Sequence, residues 1–231
     1  MVYNKVMGVR PNNKSSVELV LIRLFRVAVG LMVIFVGWLI LAPYPFYLPA
    51  DLSRGFLRNK SEFFYNSAYF IGFYAHIVSA PFALLCGTLQ MSRTIRRRAP
   101  RWHRKLGYVY CLAVLLLAAP GGLIMSLRAF GGVSSVLCFA CISISAWTFT
   151  YLGYQSARSF QFAAHGRWMA RSYLMMCSAI ALRLIHYVLH PLGLDAALTY
   201  QLAAWLSWLP GLILLELAFL WKASESPIAT Q

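Results

Sequence analysis

APRWHRKLGYVYCLAVLLLAAPGGLIMSL, residues 99–127, carries all of its charge before Leu106 and then runs to Leu127 without a charged side chain. A helix needs about twenty mostly apolar residues to cross a bilayer, and this stretch supplies them behind a basic head. The same grammar recurs along the chain. Apolar segments at about 23–42, 67–90, 106–127, 133–154, 168–190 and 198–221 are separated by Pro43, Pro45, Pro49, Gly131, Gly132 and Pro191, residues that stop helices. The whole chain is 60% hydrophobic and 12% charged with a mean hydropathy of +0.64. Soluble domains carry about twice that share of charge, so a globular surface cannot be covered here.

The expected fold is therefore all-α: a polytopic membrane helix bundle of six transmembrane helices. Residues 1–22 form an N-terminal tail, 23–221 the six-helix domain with a histidine-bearing core at 67–190, and 222–231 a C-terminal tail. The apolar run Val27 to Ala42 is long for a signal sequence and reads as the first span.

Orientation follows from where the cations fall. Lys5, Arg10, Lys14, Arg23 and Arg26 precede or open the first span, and seven cations crowd the 91–105 connection from Arg93 to Lys105. Arg158, Arg167 and Lys222 lie on the same side, whereas the opposite connections are sparse or mixed. By the positive-inside rule both termini are cytoplasmic, which places the chain in a bacterial inner membrane. The net charge of +15 is thus topology. With no soluble domain left to carry it, nucleic-acid binding is excluded. The connection from Pro43 to Asn66 mixes aromatic residues with scattered charge, as expected of a segment lying along the interface. The five cysteines all fall in apolar runs, and Cys138-x-x-Cys141 has helical spacing without polar neighbours, so packing is expected of them.

A phrase is written twice. Gln90 and Arg93 close one apolar segment and Gln155 and Arg158 another; each is followed by a histidine, His103 or His165, and then by Tyr110 or Tyr173 two turns into the next segment. This suggests a parallel repeat of helices 2–3 and 4–5. The blocks Tyr74-Ala-His76, Gly87 with Gln90, His103-Arg104-x-x-Gly107-x-x-Tyr110, Ala164-His165-x-Arg167-Trp168-Met169-x-Arg171-Ser172-Tyr173 and Leu182-Arg183-Leu184 resemble a family of uncharacterised bacterial multipass membrane proteins, domain of unknown function 2306. The resemblance covers roughly residues 70 to 190. It implies the helical architecture and no activity.

Ionisable residues inside a span are costly and mark functional candidates. Here they are His76, Arg183, His186 and Glu216. Arg183 and His186 share a helix face, and His165 lies eighteen residues earlier, about five turns at 3.6 residues per turn. Depth sorts the histidines into an outer pair, His76 with His186, and an inner pair, His103 with His165. Facing imidazoles grip b-type haem, with neutral His as axial ligand to iron. Two such pairs resemble the architecture of transmembrane di-haem b-type cytochromes, with Arg183, Arg104 or Arg167 meeting propionates and quinol or another donor supplying electrons. The alternative is a small transporter or lipid-binding membrane protein with no cofactor, its buried Arg and His meeting an anion. Arg171 and Arg167 are accounted for by topology, and Glu216 is expected in an ion pair near the cytoplasmic face. No hydrolase elbow, phosphate loop or His-Glu-x-x-His is present.

Overall fold

The computed structural model describes residues 16–224. Residues 1–15 and 225–231, the greater part of the two expected tails, lie outside the described residues. Up to Ala42 the chain is a unit by itself, one helix of 26 residues, α1 (Ser16–Leu41), which contains most of the expected first span. The second unit begins at Pro43.

From Ser67 onward that unit is almost wholly helical. A short helix, α2 (Gly55–Arg58), precedes α3 (Ser67–Met91), α4 (Arg93–Arg98), α5 (Pro100–Ser126), α6 (Gly132–Arg158), α7 (Phe162–Leu189), α8 (Ala196–Leu206) and α9 (Leu209–Ser224). Among the described residues five helical stretches are long and apolar enough to cross a membrane: α3, α5, α6, α7 with its extension to Leu192, and α8 with α9. Their connections are short, so sequence neighbours run antiparallel and pack side by side, α3 on α5, α5 on α6 and α6 on α7.

Two expected loops are mostly helix. The 91–105 connection folds as α4 and the first turns of α5, because Ser92 Oγ accepts from Ile95 N at 3.4 Å and Pro100 sits at the first position of α5, where its missing N–H costs nothing. The 155–167 connection shrinks to Ser159–Gln161, with Phe160 in the left-handed region at φ 58°. His103 and His165 therefore lie in first turns of helices, not in loops ahead of them. At the other end of the bundle Asp195 caps α8, its Oδ2 accepting from Ala197 N at 2.9 Å and Leu198 N at 3.1 Å.

Prolines shape the spans without simply breaking them. Pro81 lies inside a continuous α3 and lacks the N–H that would reach the Ile77 carbonyl. The Tyr44 hydroxyl donates to that carbonyl instead, supplying a bond whose absence in a buried setting costs about 1–3 kcal/mol. In α5 the residues Ala113–Ala118 are π-helical, with Ala119 N donating to Val114 O. The same register points Leu115 O at Pro120, which has nothing to donate, and Trp147 Nε1 from α6 fills the place at 3.2 Å. Each missing amide is replaced by an aromatic donor from another element. The last span breaks into α8 and α9 just ahead of Pro210.

The core runs down the bundle through Ala83, Cys86, Tyr110, Val114, Cys138, Ala146, Met175 and Trp208. None of the cysteines is bridged, and Cys86 and Cys138 pack as small buried residues. A second cluster joins the 43–66 segment to α3: Leu57 and Phe64 are fully buried against Tyr69, Phe73 and Ile77. That segment packs against the first turns of α3. Backbones approach closely at Gly121, where an added Cβ would lie 2.4 Å from Gly72 O.

Candidate functional site

The bundle has two polar ends of different character. At one, the basic end, the side chains of Arg93, Arg96, Arg97, Arg98, Arg101, Arg104 and Arg167 are exposed. At the other, the tyrosine end, the 43–66 segment packs on α3, and Tyr44 and Tyr47 come within electrostatic reach of Arg183 of α7.

At the basic end α3 and α5 are pinned by Gln90, whose Nε2 donates to the His103 carbonyl at 2.5 Å across a gap kept open by Gly107. The matching hairpin is pinned the other way round: His165 Nδ1 lies 2.8 Å from the Gly153 carbonyl and donates to it, which leaves Nε2 as a free acceptor. His103 and His165 lie within electrostatic reach of each other. Two buried atoms here have no hydrogen-bond partner, Gln90 Oε1 and His103 Nδ1. Gln155 does not copy Gln90; its Nε2 donates to Tyr151 OH on the same helix at 2.8 Å.

Further into the bundle, Tyr110 OH and Thr150 Oγ1 both meet Ser172 Oγ, at 2.7 and 2.6 Å, and Tyr173 OH meets Thr88 Oγ1 at 2.6 Å. The repeated tyrosines thus tie helices together. Glu216 is held by Arg171 through a two-pronged contact, Nε to Oε1 at 2.6 Å and Nη2 to Oε2 at 2.7 Å. The same guanidinium lies over the Trp168 and Phe219 rings at 4.6 and 5.0 Å. Arg171, which topology alone accounted for in the sequence, has a specific partner.

At the tyrosine end His76 and His186 are not brought together. His76 Nδ1 donates to the Ala118 carbonyl of α5 at 2.7 Å, and its ring packs over Gly122. His186 instead faces α8, its ring 6.3 Å from Tyr200 and 6.0 Å from His190. Arg183 is the centre of this end. It is half-buried, and among the described residues its one hydrogen bond runs from Nη1 to Ala179 O in its own helix, at 2.7 Å. Among the described residues no carboxylate pairs with it. The hydroxyls of Tyr44, Tyr47 and Tyr200 and the His76 ring all lie within its electrostatic reach. Tyr69, 4% exposed, lies within reach of Tyr47 and Tyr200, and its buried hydroxyl has no partner. Burial pushes the pKa of Tyr44 and Tyr47 up, so both stay protonated, the Tyr44 hydroxyl donating to the Ile77 carbonyl.

A second cation reinforces this end. Lys60 is 5% exposed, donates to the Arg128 carbonyl and lies 5.6 Å from both the Phe56 and Phe63 rings. Burial, then the nearby Arg128 charge, holds its pKa below the usual lysine range. Lys60, Tyr47, Tyr69 and Tyr200 are absent from the sequence-derived candidates. Their only signal there is aromatic residues with scattered charge, which any interfacial belt also gives.

A b-type haem needs two imidazoles facing one iron. The outer pair does not fit axial ligation, because its two rings face different helices. The inner pair fits better: the Nδ1 bond of His165 to a backbone carbonyl leaves Nε2 directed elsewhere, as iron-ligating histidines require. Among the described residues no group of three or more His, Cys, Asp or Glu side chains is arranged to hold a metal ion.

Fold and site together define a polytopic α-helical membrane protein with a polar interior. The chain belongs to the family described as "Predicted membrane protein (DUF2306)", which matches residues 73–219 and so takes in all five candidate spans in whole or part. No curated protein and no solved structure matches it.

Proposed function

We propose that the protein is a six-span inner-membrane protein that binds a multi-oxygen anion on Arg183 at the tyrosine end. The observation that carries this reading is a half-buried guanidinium with no carboxylate partner among the described residues, with the hydroxyls of Tyr47 and Tyr200 within its electrostatic reach. A cation in such a setting is costly unless a counter-charge arrives, and Arg presents donors in a fork that suits carboxylate or phosphate oxygens. The unpartnered Tyr69 hydroxyl adds a donor whose burial is otherwise unpaid. In this reading α1 is the sixth span, its 26 residues giving about 39 Å of helix, and the basic end is cytoplasmic. The two hairpins, each pinned by one side-chain bond to a backbone carbonyl, are the parallel repeat.

The test is equilibrium binding of glycerol 3-phosphate to protein purified in mild detergent. Wild-type protein is expected to bind it, and Arg183→Gln to weaken binding at least about tenfold while keeping the melting temperature. Equal binding by the two proteins, or none by the wild type, would show that Arg183 holds no anion.

A second reading is favoured by one observation at the basic end, the free Nε2 of His165 near the unpartnered His103. There the pair would hold one b-type haem, which supplies one-electron chemistry when bound, with quinol as a donor. Protein from haem-replete cells would then show a dithionite-sensitive absorption band, lost in both His103→Ala and His165→Ala. A colourless preparation rules this reading out.

A further inference from the structure

We infer that the seam between α5 and α6 at the basic end docks the head group of an anionic phospholipid. This site is separate from Arg183 and stands without the anion reading above. Exposed cations in number orient a chain and select no ligand, so placement has to single out a site. Tyr108 of α5 and Tyr154 of α6 meet across the seam, their ring centroids 6.5 Å apart and their planes at 64°. Arg158 Nη1 donates to Tyr154 OH at 3.3 Å, which holds that guanidinium on the seam. On α5, Arg101, Arg104 and Lys105 precede Tyr108 by seven, four and three residues, the spacings of one helix face. The two helices are antiparallel, so Arg104 and Arg158 each lie one turn, about 6 Å, beyond the tyrosine pair in the same direction. Two guanidiniums from different spans thus flank one gap with two phenols beneath it.

The gap lies at head-group level. On α5 the charge ends at Lys105, whose Nζ sits 5.4 Å from the centre of the exposed Trp102 ring, and the apolar run begins at Leu106. Tyr108 is exposed at this boundary, as is expected of a ring at the membrane surface, and the exposed Val109 and Leu112 just beyond it make hydrocarbon the neighbour of the seam. Charge then selects the lipid. Among the described residues no carboxylate pairs with Arg101, Arg104, Lys105 or Arg158; the ion pairs there are Arg54 with Asp51 and Arg171 with Glu216. A guanidinium fork suits phosphate oxygens, and basic recesses between spans at this level suit acidic head groups. Every phospholipid offers a phosphate, but a zwitterionic one also carries a cation into this cluster, where it is repelled. Phosphatidylglycerol carries the phosphate charge alone.

The experiment measures equilibrium binding of dioleoyl phosphatidylglycerol and of dioleoyl phosphatidylcholine to the protein in mild-detergent micelles. The acyl chains are the same, so their transfer from micelle to protein cancels and only the head groups are compared. Wild-type protein is expected to prefer phosphatidylglycerol about tenfold at low salt, and less as salt screens the contact. Arg104→Gln combined with Arg158→Gln is expected to bring the preference to within about twofold of none. Arg93→Gln combined with Arg97→Gln removes the same charge from α4 and is expected to leave the preference intact, as is Arg183→Gln at the far end. Arg93, Arg97, Arg104 and Arg158 are all exposed, so both double variants are expected to melt as wild type does. Absence of a preference in the wild type overturns the inference. Equal losses in the two double variants also overturn it, because diffuse charge and not the seam then attracts the lipid. Loss in Arg183→Gln would place the head group at the tyrosine end instead.

Discussion

The two ends of the bundle hold opposite kinds of unfinished chemistry. The basic end carries most of the charge, yet its arginines are exposed, and what it leaves buried without partners are Gln90 Oε1 and His103 Nδ1. The tyrosine end mixes charges of both signs, but Arg183 and Lys60 are withdrawn from solvent, and a buried phenol, Tyr69, lacks a partner among the described residues. Charge in water is screened and cheap, so a crowd of exposed arginines orients a membrane protein without defining a site. A single cation among low-dielectric walls acts far more strongly. On the anion reading it is the burial of cations, and not their number, that marks the site.

The contrast is sharpest in packing. Gly121 on α5 faces Gly72 O at a distance a Cβ cannot tolerate, whereas nothing lies within 4 Å of a Cβ at Gly166, in the first turns of α7. Gly121→Ala is expected to cost about 3 kcal/mol or more, because backbone and not a side chain has to move. Gly166→Ala is expected to be neutral or to gain up to about 1 kcal/mol from helix propensity. Thermal unfolding in detergent followed by circular dichroism reads both, and equal losses would erase the distinction in packing between the two ends.

The unpartnered phenol gives the next largest effect, with opposite signs for stability and binding. Without an anion, Tyr69→Phe removes a buried donor that bonds to nothing and is expected to stabilise by about 1–2 kcal/mol. With saturating glycerol 3-phosphate the order of melting temperatures should reverse, since the wild type gains a hydrogen bond that Phe cannot make. A destabilised variant under both conditions means that the hydroxyl already has a partner and is no part of an empty donor set.

Much of this architecture is legible in the sequence. Apolar length and proline or glycine punctuation place the five candidate spans, because burial in hydrocarbon demands both. Boundaries are hidden where helix continues into basic sequence: 91–105 and 155–167 read as loops because charge density conceals the Ser92 cap and the Pro100 start. The site was only half legible. Arg183 stands out as a charge within a span, but Tyr44 and Tyr47 of the 43–66 segment and Tyr200 of α8 join it, with Tyr69 of α3 beside Tyr47 and Tyr200, and no local spacing encodes that meeting of three separate segments. The same holds for Tyr44 completing the Ile77 carbonyl released by Pro81, and for Arg171 finding Glu216 across 45 residues. Histidine chemistry drew attention to His76 and His186 as a pair; helix rotation, which sequence depth alone does not fix, turns them to different neighbours.

Arg171 and Glu216 test whether an ion pair toward the basic end behaves like a buried one. The contact is two-pronged, but the Glu216 side chain is 41% exposed, so its energy is discounted for screening. Hydrogen bonding from Arg171 holds the Glu216 carboxylate in place and leaves the guanidinium stacked on Trp168 and Phe219. Glu216→Gln is expected to cost about 1 kcal/mol, read as a lower melting temperature, with the loss shrinking in high salt. A loss above about 3 kcal/mol that ignores salt would mean that the pair is desolvated, and the distinction between the ends would have to be redrawn.

The smallest effect discriminates most finely at the basic end. Gln90 makes one hydrogen bond, Nε2 to His103 O, and buries one acceptor, Oε1, that has none. Gln90→Met keeps the length of the side chain, gives up the bond and removes the orphan. The net bond is worth about 1 kcal/mol and the orphan costs about as much, so the two changes nearly cancel and stability should move by only a few tenths of a kcal/mol. That cancellation holds only if nothing bonds to Oε1. A water or ligand bridging Gln90 Oε1 to His103 Nδ1 would turn the orphan into a satisfied group, and the same substitution would then cost about 2 kcal/mol. The melting temperature of Gln90→Met therefore reports whether the basic end is an occupied site or a packed one. A large loss would make the two ends alike, each holding a guest, and would return attention to the space between His103 and His165.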